Sequence, residues 1–534
     1  MTQRLFILLF AAATLLPPGR AAAQPSAREL KEAATQLQKF NQFYRYLNGS
    51  YVDTVEFAPL VEQAIRSMLS QLDPHSTYLS PEEMKSVEET FDGSFSGIGV
   101  EFNVLNDTIL VVNTVVGGPS ERVGILPNDR IVAVDGKPST GVTRAEVPKL
   151  LRGPKGSVVT LEVVRKGVPA PLSFRITRDD IPIETIDAAY KTDSGIAYIK
   201  VNRFANNTMD EFTRAFDSLS PVRGLILDLR GNGGGLLEQA IRMSEFFLHE
   251  GAEIVSTEGR LVKPASYISR TRGAYSRGPL AVLIDESSAS GSEIVAGAIQ
   301  DWDRGIVIGQ PSFGKGLVQR QFPLGDGSCV RITVARYHTP TGRVIQRPFE
   351  RGHREQYYAD YLRRLASNDP DSVQTDAPRY KTLKNGRTVY GGGGIFPDIP
   401  VPDDTTGYSD YWARLVRGGV LNEFVADYLD RNRTSLLRKY RTADEFARRY
   451  RTPQEQLDAL SAFGAGRGVE PDSAGMAVSA DLLRVQLKGL VAQKLWGTSE
   501  YYRTVNPSLS AAFRKAEESM EHWDEIAKNI LRDK

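Results

Sequence analysis

A serine and a lysine that lie 25 residues apart are the residues best suited to chemistry in this chain. Ser290 lies within Ser-Ala-Ser-Gly-Ser-Glu (288–293), and Lys315 lies within Phe-Gly-Lys-Gly-Leu-Val-Gln (313–319). A serine hydroxyl needs a base to act as a nucleophile at neutral pH, and a lysine whose pKa is lowered by burial can be that base. None of the five histidines lies in a segment resembling a hydrolase triad. The pair therefore favours Ser/Lys chemistry.

Each half of this pair also has an ordinary structural explanation. Serines before a helix are commonly N-caps, which suits Ser288 or Ser292, and a glycine-flanked lysine is commonly exposed. Gln319 lies four residues after Lys315 and could orient its amine by a hydrogen bond. In a straight strand their α-carbons would be about 13 Å apart, against about 6 Å in a helix, so direct contact requires a turn or local bending.

Consecutive glycines after an apolar run provide a third element. Residues 227–235, Leu-Asp-Leu-Arg-Gly-Asn-Gly-Gly-Gly, read as a strand that ends in amides able to face a substrate carbonyl. Gly235 is the preferred donor of such an oxyanion hole, Gly234 is the second choice, and the Gly291 amide would supply the other half. The rival interpretation, a phosphate loop, lacks the Gly-Lys-Ser/Thr ending that reaches nucleotide phosphates.

Residues 91–178 contain short β-rich runs separated by glycine, proline, asparagine and aspartate. The loop Gly97-Ile98-Gly99-Val100 can turn several backbone N–H groups toward one anion, because glycine permits the backbone angles of such a nest. Together with residues 118–124 and 127–136, the segment resembles a PDZ domain of the exported-protease kind. A PDZ domain binds an extended C-terminal peptide as an added strand. The resemblance therefore implies recognition of free, apolar polypeptide C-termini.

In order and spacing, the motifs from about Asp73 to Val401 resemble those of the carboxyl-terminal processing proteases, also called tail-specific proteases. The resemblance rests on residues 72–76, the PDZ segment, and residues 228–234, 288–293, 313–319 and 340–343. It implies a serine endopeptidase that holds a C-terminal tail and cleaves upstream through an acyl-enzyme. No metal, nucleotide or other cofactor is implied. The implied roles are nucleophile for Ser290, general base for Lys315, orienting partner for Gln319, and oxyanion donors for Gly235 and Gly291.

Gly291 stands where an alanine is usual in the family, and only its backbone N–H is required. Arg152, within residues 151–156, is a candidate relay between the PDZ domain and the active site, although an arginine before Gly-Pro is more often a solvated turn residue. His75, beside Pro74, is interpreted as part of a structural turn.

The expected fold is a multidomain α/β protein with a β-rich PDZ domain. Residues 1–23 resemble a signal peptide, with Arg4, an apolar run and the small residues 21–23. Pro17 stops that run short of the roughly 20 apolar residues that span a bilayer. The other regions are an N-terminal helical cap (24–90), the PDZ domain (91–178), an α/β Ser/Lys protease core (179–400) and a C-terminal helical extension (401–534).

The composition limits the kinds of binding partner and the cellular location that are expected for this protein. The 66 basic and 65 acidic residues give a formal net charge of +1, and removal of Arg4 and Arg20 with the signal peptide gives −1. This balance does not favour nucleic-acid binding. The only cysteine, Cys329, excludes an intramolecular disulfide and lies far from the cleavage site, where a lipid would attach. We expect an exported, periplasmic protein without stable membrane insertion, and both a homo-oligomer and an activating adaptor stay open.

Two alternatives compete with the protease interpretation. A PDZ scaffold on a degenerate protease core would bind C-termini without cleaving them, but the intact Ser290, Lys315, Gln319 and glycine donors argue against it. A tricorn-like peptidase would use histidine in its active site, which the histidine positions disfavour.

Overall fold

The computed structural model describes residues 26–105, 107–115, 117–126, 129–165, 167–367 and 377–531. The expected signal peptide, residues 1–23, lies outside these ranges. Within them, no helix is both long and apolar enough to cross a bilayer. The fold has a helical N-terminal part, a β-rich domain, an α/β core and a helical C-terminal part. The predicted fold class is confirmed.

The N-terminal part consists of helices and one short strand. Ser26 and Ser80 each cap a helix in a capping box with the glutamate three residues later. The strand, which the sequence did not indicate, runs antiparallel to residues 329–331 and ties this part to the core. The elements are α1 (Ala27–Ser50), α2 (Phe57–Ser70), β1 (Thr77–Leu79) and α3 (Pro81–Asp92).

The β-rich domain is built from short strands whose side chains alternate between core and solvent. Its elements are β2 (Ser94–Gly97), β3 (Val100–Leu105), β4 (Thr108–Thr114), α4 (Pro119–Arg122), β5 (Arg130–Val134), β6 (Lys137–Pro138), α5 (Val147–Leu151), β7 (Val158–Val164), β8 (Leu172–Thr177) and β9 (Asp179–Pro182). The sheet order is β3-β4-β5-β7-β8, with β6 on β5. Strands β2 and β9 pair with each other where the chain enters and leaves the domain.

The α/β core contains two larger sheets and the helices between their strands. Its elements are β10 (Ile186–Lys191), β11 (Ile196–Val201), α6 (Thr208–Leu219), β12 (Gly224–Asp228), α7 (Leu237–Phe247), β13 (Glu253–Glu258), β14 (Ala265–Ile268), β15 (Leu280–Ile284), α8 (Gly291–Asp301), β16 (Ile306–Gly309), β17 (Leu317–Pro323), β18 (Cys329–His338), α9 (Arg354–Ser367), β19 (Arg379–Lys381), β20 (Thr388–Tyr390) and β21 (Ile399–Pro400). Strands β17 and β18 pair antiparallel as a hairpin.

The central sheet has the order β10-β11-β12-β15-β16-β21, and all its pairs are parallel except β10 with β11. Its inner strands are continuous apolar runs because both faces are buried. The second sheet has the order β1-β18-β13-β14, with β17 also on β18. Strands β12 and β15 are parallel neighbours, with Asp228 opposite Leu283, so the loops after them emerge side by side.

The C-terminal part is helical, as predicted. Phe513, Ala516 and Met520 pack on Tyr198 and Ile226 of the central sheet, so this part covers one face of the core. A separate apolar cluster joins the earlier helices to one another. The helices are α10 (Asp410–Arg417), α11 (Val420–Lys439), α12 (Ala443–Arg449), α13 (Gln454–Ala465), α14 (Ser473–Trp496), α15 (Thr498–Leu509), α16 (Ala511–Glu521) and α17 (Trp523–Asn529).

Candidate active site

Ser290 lies in the tight turn between β15 and α8. Its φ of 55° and ψ of −108° are unusual for a residue with a side chain, and such strain persists only where neighbours enforce it. Ser290 N donates to Glu293 Oε2 at 2.8 Å, and Tyr337 Oη donates to Ser290 O at 3.2 Å. The turn is thus fixed at the N-terminus of α8, where the helix dipole favours developing negative charge.

The glycine loop after β12 lies against this turn, and Ala289 N donates to Asn232 O at 3.0 Å. Gly234 N donates to Asn232 Oδ1 at 2.8 Å, so its N–H is already engaged. No backbone hydrogen bond from the N–H of Gly235 or Gly291 occurs in the described ranges. Between the two sequence candidates, the geometry favours Gly235 over Gly234 as an oxyanion donor.

Close packing explains why glycine occupies these positions. A Cβ on Gly235 would lie 2.0 Å from Phe204 O, and one on Gly234 would lie 2.7 Å from Ala289 O; both residues have positive φ. A Cβ on Gly291 would lie 3.0 Å from Phe204 Cδ2. The alanine that is usual at this position would therefore require the Phe204 ring to shift slightly.

One buried carboxylate joins the serine turn to the lysine loop. Glu293 Oε2 accepts the N–H groups of Ser290 at 2.8 Å and Lys315 at 2.9 Å. Glu293 Oε1 accepts Gly314 N at 2.7 Å and Ser312 Oγ at 2.5 Å. Burial raises the pKa of Glu293, and these hydrogen bonds oppose the rise. Glu293 lies inside a quoted motif, but its spacing predicts only a helix, so the sequence did not single it out.

Lys315 lies partly buried on the loop before β17. Burial lowers the pKa of Lys315 and the Arg331 cation lowers it further, whereas the Glu293 and Asp73 carboxylates oppose this effect. Its Nζ donates to Gln319 Oε1 at 2.9 Å. None of the hydrogen bonds in the described ranges joins Lys315 Nζ to Ser290 Oγ.

Gln319 is held at both ends of its amide. Its Oε1 accepts from Lys315 Nζ, and its Nε2 donates to His75 O at 2.6 Å. The register between β17 and β18 shifts between Val318 and Gln319. This β-bulge provides the local bending that contact with Lys315 requires.

The segment around His75 is a structural turn, but one of its carbonyls is part of the site. Asp73 Oδ1 accepts the N–H groups of His75 and Ser76, both at 2.9 Å, and Thr333 Oγ1 of β18 at 3.1 Å. Burial, aided by the Lys315 charge, lowers the pKa of His75 to about 4. The ring is therefore neutral near neutral pH, and His75 contributes its backbone oxygen to Gln319.

One cavity of about 550 Å³ gathers five of the predicted residues: Ser290, Gly235, Gly291, Lys315 and Gln319. Arg331 and Tyr337 also line it, and the sequence did not single them out. Apolar side chains form much of the remaining wall, including Leu236, Leu237, Ile294, Leu317 and Val318.

The loop Gly97–Val100 joins β2 to β3. The carbonyls of Ile98 and Gly99 accept from Ser120 N at 3.0 Å and Val115 N at 2.9 Å. The N–H of a trans peptide points opposite to its C=O, so the N–H groups of Gly99 and Val100 point away from these partners. Gly99 has the positive φ of 73° that such a loop needs.

Arg152 follows α5 and does not line the cavity that contains Ser290. Its guanidinium pairs with Glu89 of α3 at 2.6 Å and lies 4.3 Å from the centroid of the Phe95 ring of β2. Arg152 thus connects the β-rich domain to the N-terminal helices.

Family comparisons agree with this arrangement. Residues 195–351 match peptidase family S41, and residues 111–165 match the PDZ domain. Residues 14–83 match the N-terminal domain of the activating protease CtpB. Residues 411–497 match DUF8443, a family of unknown function. The core and the β-rich domain therefore define a serine-type peptidase with a PDZ domain.

Similar proteins identify the family. The carboxy-terminal-processing protease of Bartonella bacilliformis is 38% identical over 318 residues, 58% of this chain and 73% of that protein. Carboxy-terminal processing protease CtpA of Bacillus subtilis is 38% identical over 323 residues, 59% of this chain and 69% of that protein. The solved photosystem II D1 C-terminal processing protease is 30% identical, with a TM-score of 0.33, and covers 60% of this chain and 90% of its own. The chain belongs to the carboxy-terminal processing proteases.

Proposed function

We propose that this protein is an exported endopeptidase that captures free protein tails through its PDZ domain and cleaves them with a Ser290/Lys315 dyad. The observation that carries the proposal is the convergence of Ser290, Lys315, Gln319 and the Gly235 and Gly291 amides on one cavity. Each of these groups has an ordinary explanation alone. Together they supply a nucleophile, a base, an orienting group and two donors for an oxyanion.

The reaction proceeds through an acyl-enzyme. Lys315 Nζ accepts the Ser290 proton as Oγ attacks the scissile carbonyl carbon, and the N–H groups of Gly235 and Gly291 stabilise the oxyanion. Protonated Lys315 then donates this proton to the leaving amine, and the C-terminal fragment departs. A water attacks the ester and gives a proton to Lys315, which returns it to Ser290 Oγ as the new carboxylate leaves. Burial lowers the pKa of Lys315, which favours the neutral amine that acts as the base.

The PDZ domain selects the substrate by its end. The N–H groups around Gly99 suit a terminal carboxylate, and the buried Ile98 and partly buried Val100 border the same loop, which suits an apolar last residue. Arg152 is the proposed relay from the PDZ domain to the active site, and its ion pair with Glu89 of α3 is the contact that ligand binding would alter. No metal or other cofactor takes part in the proposed steps.

The dyad is tested by Ser290→Ala and Lys315→Ala, with the exposed Ser287→Ala as the matched control. We expect both dyad variants to fold and to lose proteolysis, whereas Ser287→Ala keeps it. Turnover retained in either dyad variant would disprove the assignment.

Tail capture and export need separate tests. A protein substrate with a free apolar C-terminus should be cleaved faster than the same substrate with an amidated C-terminus, and equal rates would exclude carboxylate recognition. N-terminal sequencing of the protein recovered from its source cells should begin near Gln24. Retention of residues 1–23 would contradict the signal peptide.

A further inference from the structure

Helix α9 packs directly behind the lysine loop. It spans Arg354–Ser367, after the end of the S41 match at residue 351. Its side chains reach three segments of the site: Tyr358 Oη donates to Pro74 O at 3.2 Å, Tyr361 Oη donates to Glu286 O at 3.3 Å, and Arg364 Nη2 donates to Ser312 O at 2.5 Å. The helix therefore fastens together segments that are distant in the sequence.

Arg347 lies between α9 and the lysine loop inside a cage of aromatic rings. Its guanidinium carbon is 4.9 Å from the ring centroid of Phe313, 4.0 Å from that of Tyr357 and 5.2 Å from that of Tyr361. All three side-chain nitrogens of Arg347 are buried. The rings therefore supply the contacts that hold the cation, and a desolvated cation–π contact is worth about 2 kcal/mol.

Residues 346 and 347, beside this cage, form hydrogen bonds with the residues on either side of Lys315. Arg347 N donates to Gly314 O at 2.9 Å, and Gly316 N donates to Gln346 Oε1 at 3.0 Å. The residues on both sides of Lys315 are thus hydrogen-bonded to the segment that carries Arg347. A shift of Arg347 would move the lysine loop.

Helix α9 also contacts His75, the residue whose backbone oxygen holds the Gln319 amide. Tyr357 meets the His75 ring edge-on, with centroids 5.5 Å apart, and its Oη lies 3.4 Å from His75 Nε2. His75 O in turn accepts from Gln319 Nε2. Tyr357 therefore contacts the residue that fixes Gln319 and also the cation that packs on the lysine loop.

We infer that Arg347 and Tyr357 are positioning residues, through which α9 holds the Lys315 amine and the Gln319 amide in their catalytic arrangement. This inference rests on the proposed roles of Lys315 and Gln319. Both side chains act through Phe313, His75 and the lysine loop. A misplacement of about 1 Å in such an arrangement can cost about 100-fold in rate.

The test compares Tyr357→Leu and Arg347→Met with Leu362→Ala, a control on the same helix whose side chain is 61% exposed. We expect Tyr357→Leu and Arg347→Met to lower kcat by roughly 10- to 100-fold while KM changes by less than about threefold. The acid limb of their kcat/KM profile should move to higher pH. Water admitted beside Lys315 solvates the protonated amine and so raises its pKa toward the ordinary lysine value. Tyr357→Phe, which keeps the ring, should resemble the parent.

A second measurement keeps the inference testable if turnover is too slow. In a Ser290→Ala background, the rate at which acetic anhydride labels Lys315 as a function of pH reports its protonation directly. Adding Tyr357→Leu should move that titration to higher pH, and adding Leu362→Ala should not. Folded Tyr357→Leu protein with parental kcat and an unmoved titration would overturn the inference. Turnover by Lys315→Ala would instead overturn the proposed function.

Discussion

Gln319 Nε2 donates a 2.6 Å hydrogen bond to the backbone oxygen of His75, 244 residues earlier in the chain. Because an amide nitrogen donates and an amide oxygen accepts, this bond turns Gln319 Oε1 toward Lys315 Nζ. The orientation of the proposed base is therefore set by the N-terminal segment as well as by the core. Strand β1, which follows His75 and pairs with β18, fixes the position of that carbonyl.

Gln319→Leu should lower kcat by roughly 10- to 100-fold, because Lys315 loses its orienting acceptor. Gln319→Glu should be no better, since an ionised carboxylate cannot donate to His75 O and favours protonated Lys315. The matched control is Gln321→Leu, two residues along the same strand and on the wall of the same cavity. Steady-state kinetics check the prediction. Equal losses in Gln319→Leu and Gln321→Leu would remove any special role for Gln319.

Much of the fold follows from the sequence where the pattern is local. Strands such as Leu280–Ile284 and Val158–Val164 can be located from the sequence, because apolar runs and alternation report burial directly. Strand β1 was missed, since three residues carry little pattern and their partner lies about 250 positions away. Helix α9 was also missed: it carries five charged residues, and among its described side chains only Tyr357 is deeply buried.

The site was predictable where chemistry demands a residue type. Ser290, Lys315 and the glycines were singled out because few residue types can act as a nucleophile, as a base or as closely approaching backbone donors. The roles of Glu293 and His75 depend on the tertiary arrangement: Glu293 accepts four donors from two loops, and His75 offers a backbone oxygen, a group that every residue type carries. The preference for Gly235 over Gly234 likewise gains its physical reason only from the Asn232 hydrogen bond.

Gly235→Ala should abolish most activity, because the new Cβ would lie 2.0 Å from Phe204 O and the loop would have to move. Loss of one oxyanion donor alone costs about 100- to 1,000-fold in kcat. Gly233→Ala is the matched control, since a Cβ there meets nothing within 4 Å and its φ is not positive. Activity assays on both folded variants check this prediction. Comparable activity in the two would show that the reaction does not depend on the close approach of the Gly235 loop to Phe204.

Arg331→Met should move the acid limb of kcat/KM to higher pH. The Arg331 cation disfavours protonated Lys315 and so lowers its pKa, and removal of the cation lets that pKa rise toward the ordinary lysine value. At a fixed pH below the new limb, less of the lysine is then available as a base and activity falls. Arg320→Met removes an equivalent charge from the wall of the same cavity and serves as the control. Identical pH profiles for Arg331→Met and Arg320→Met would show that Arg331 has no specific effect.

The C-terminal helices reach the strand that leads into the glycine loop. Arg230 Nη1 donates to Ser510 Oγ at 2.7 Å, and Arg230 also pairs with the buried Asp228. Ser510 Oγ in addition accepts Phe513 N and so caps α16. A residue of the C-terminal part thus helps to hold the arginine that immediately precedes the proposed oxyanion loop.

Ser510→Ala should lower kcat by about 3- to 10-fold, equivalent to about 1 kcal/mol of transition-state stabilisation, because Arg230 loses one of its anchors beside the loop. Loss of the cap should also lower the free energy of unfolding by about 1 kcal/mol. Ser519→Ala separates the two effects, since Ser519 lies on α16 and, within the described ranges, its hydroxyl donates to Lys515 O of its own helix. We expect Ser519→Ala to leave kcat unchanged. Kinetics and denaturant unfolding of both variants check this, and a kcat for Ser510→Ala equal to that of Ser519→Ala would show that the C-terminal contact stabilises the fold without positioning the site.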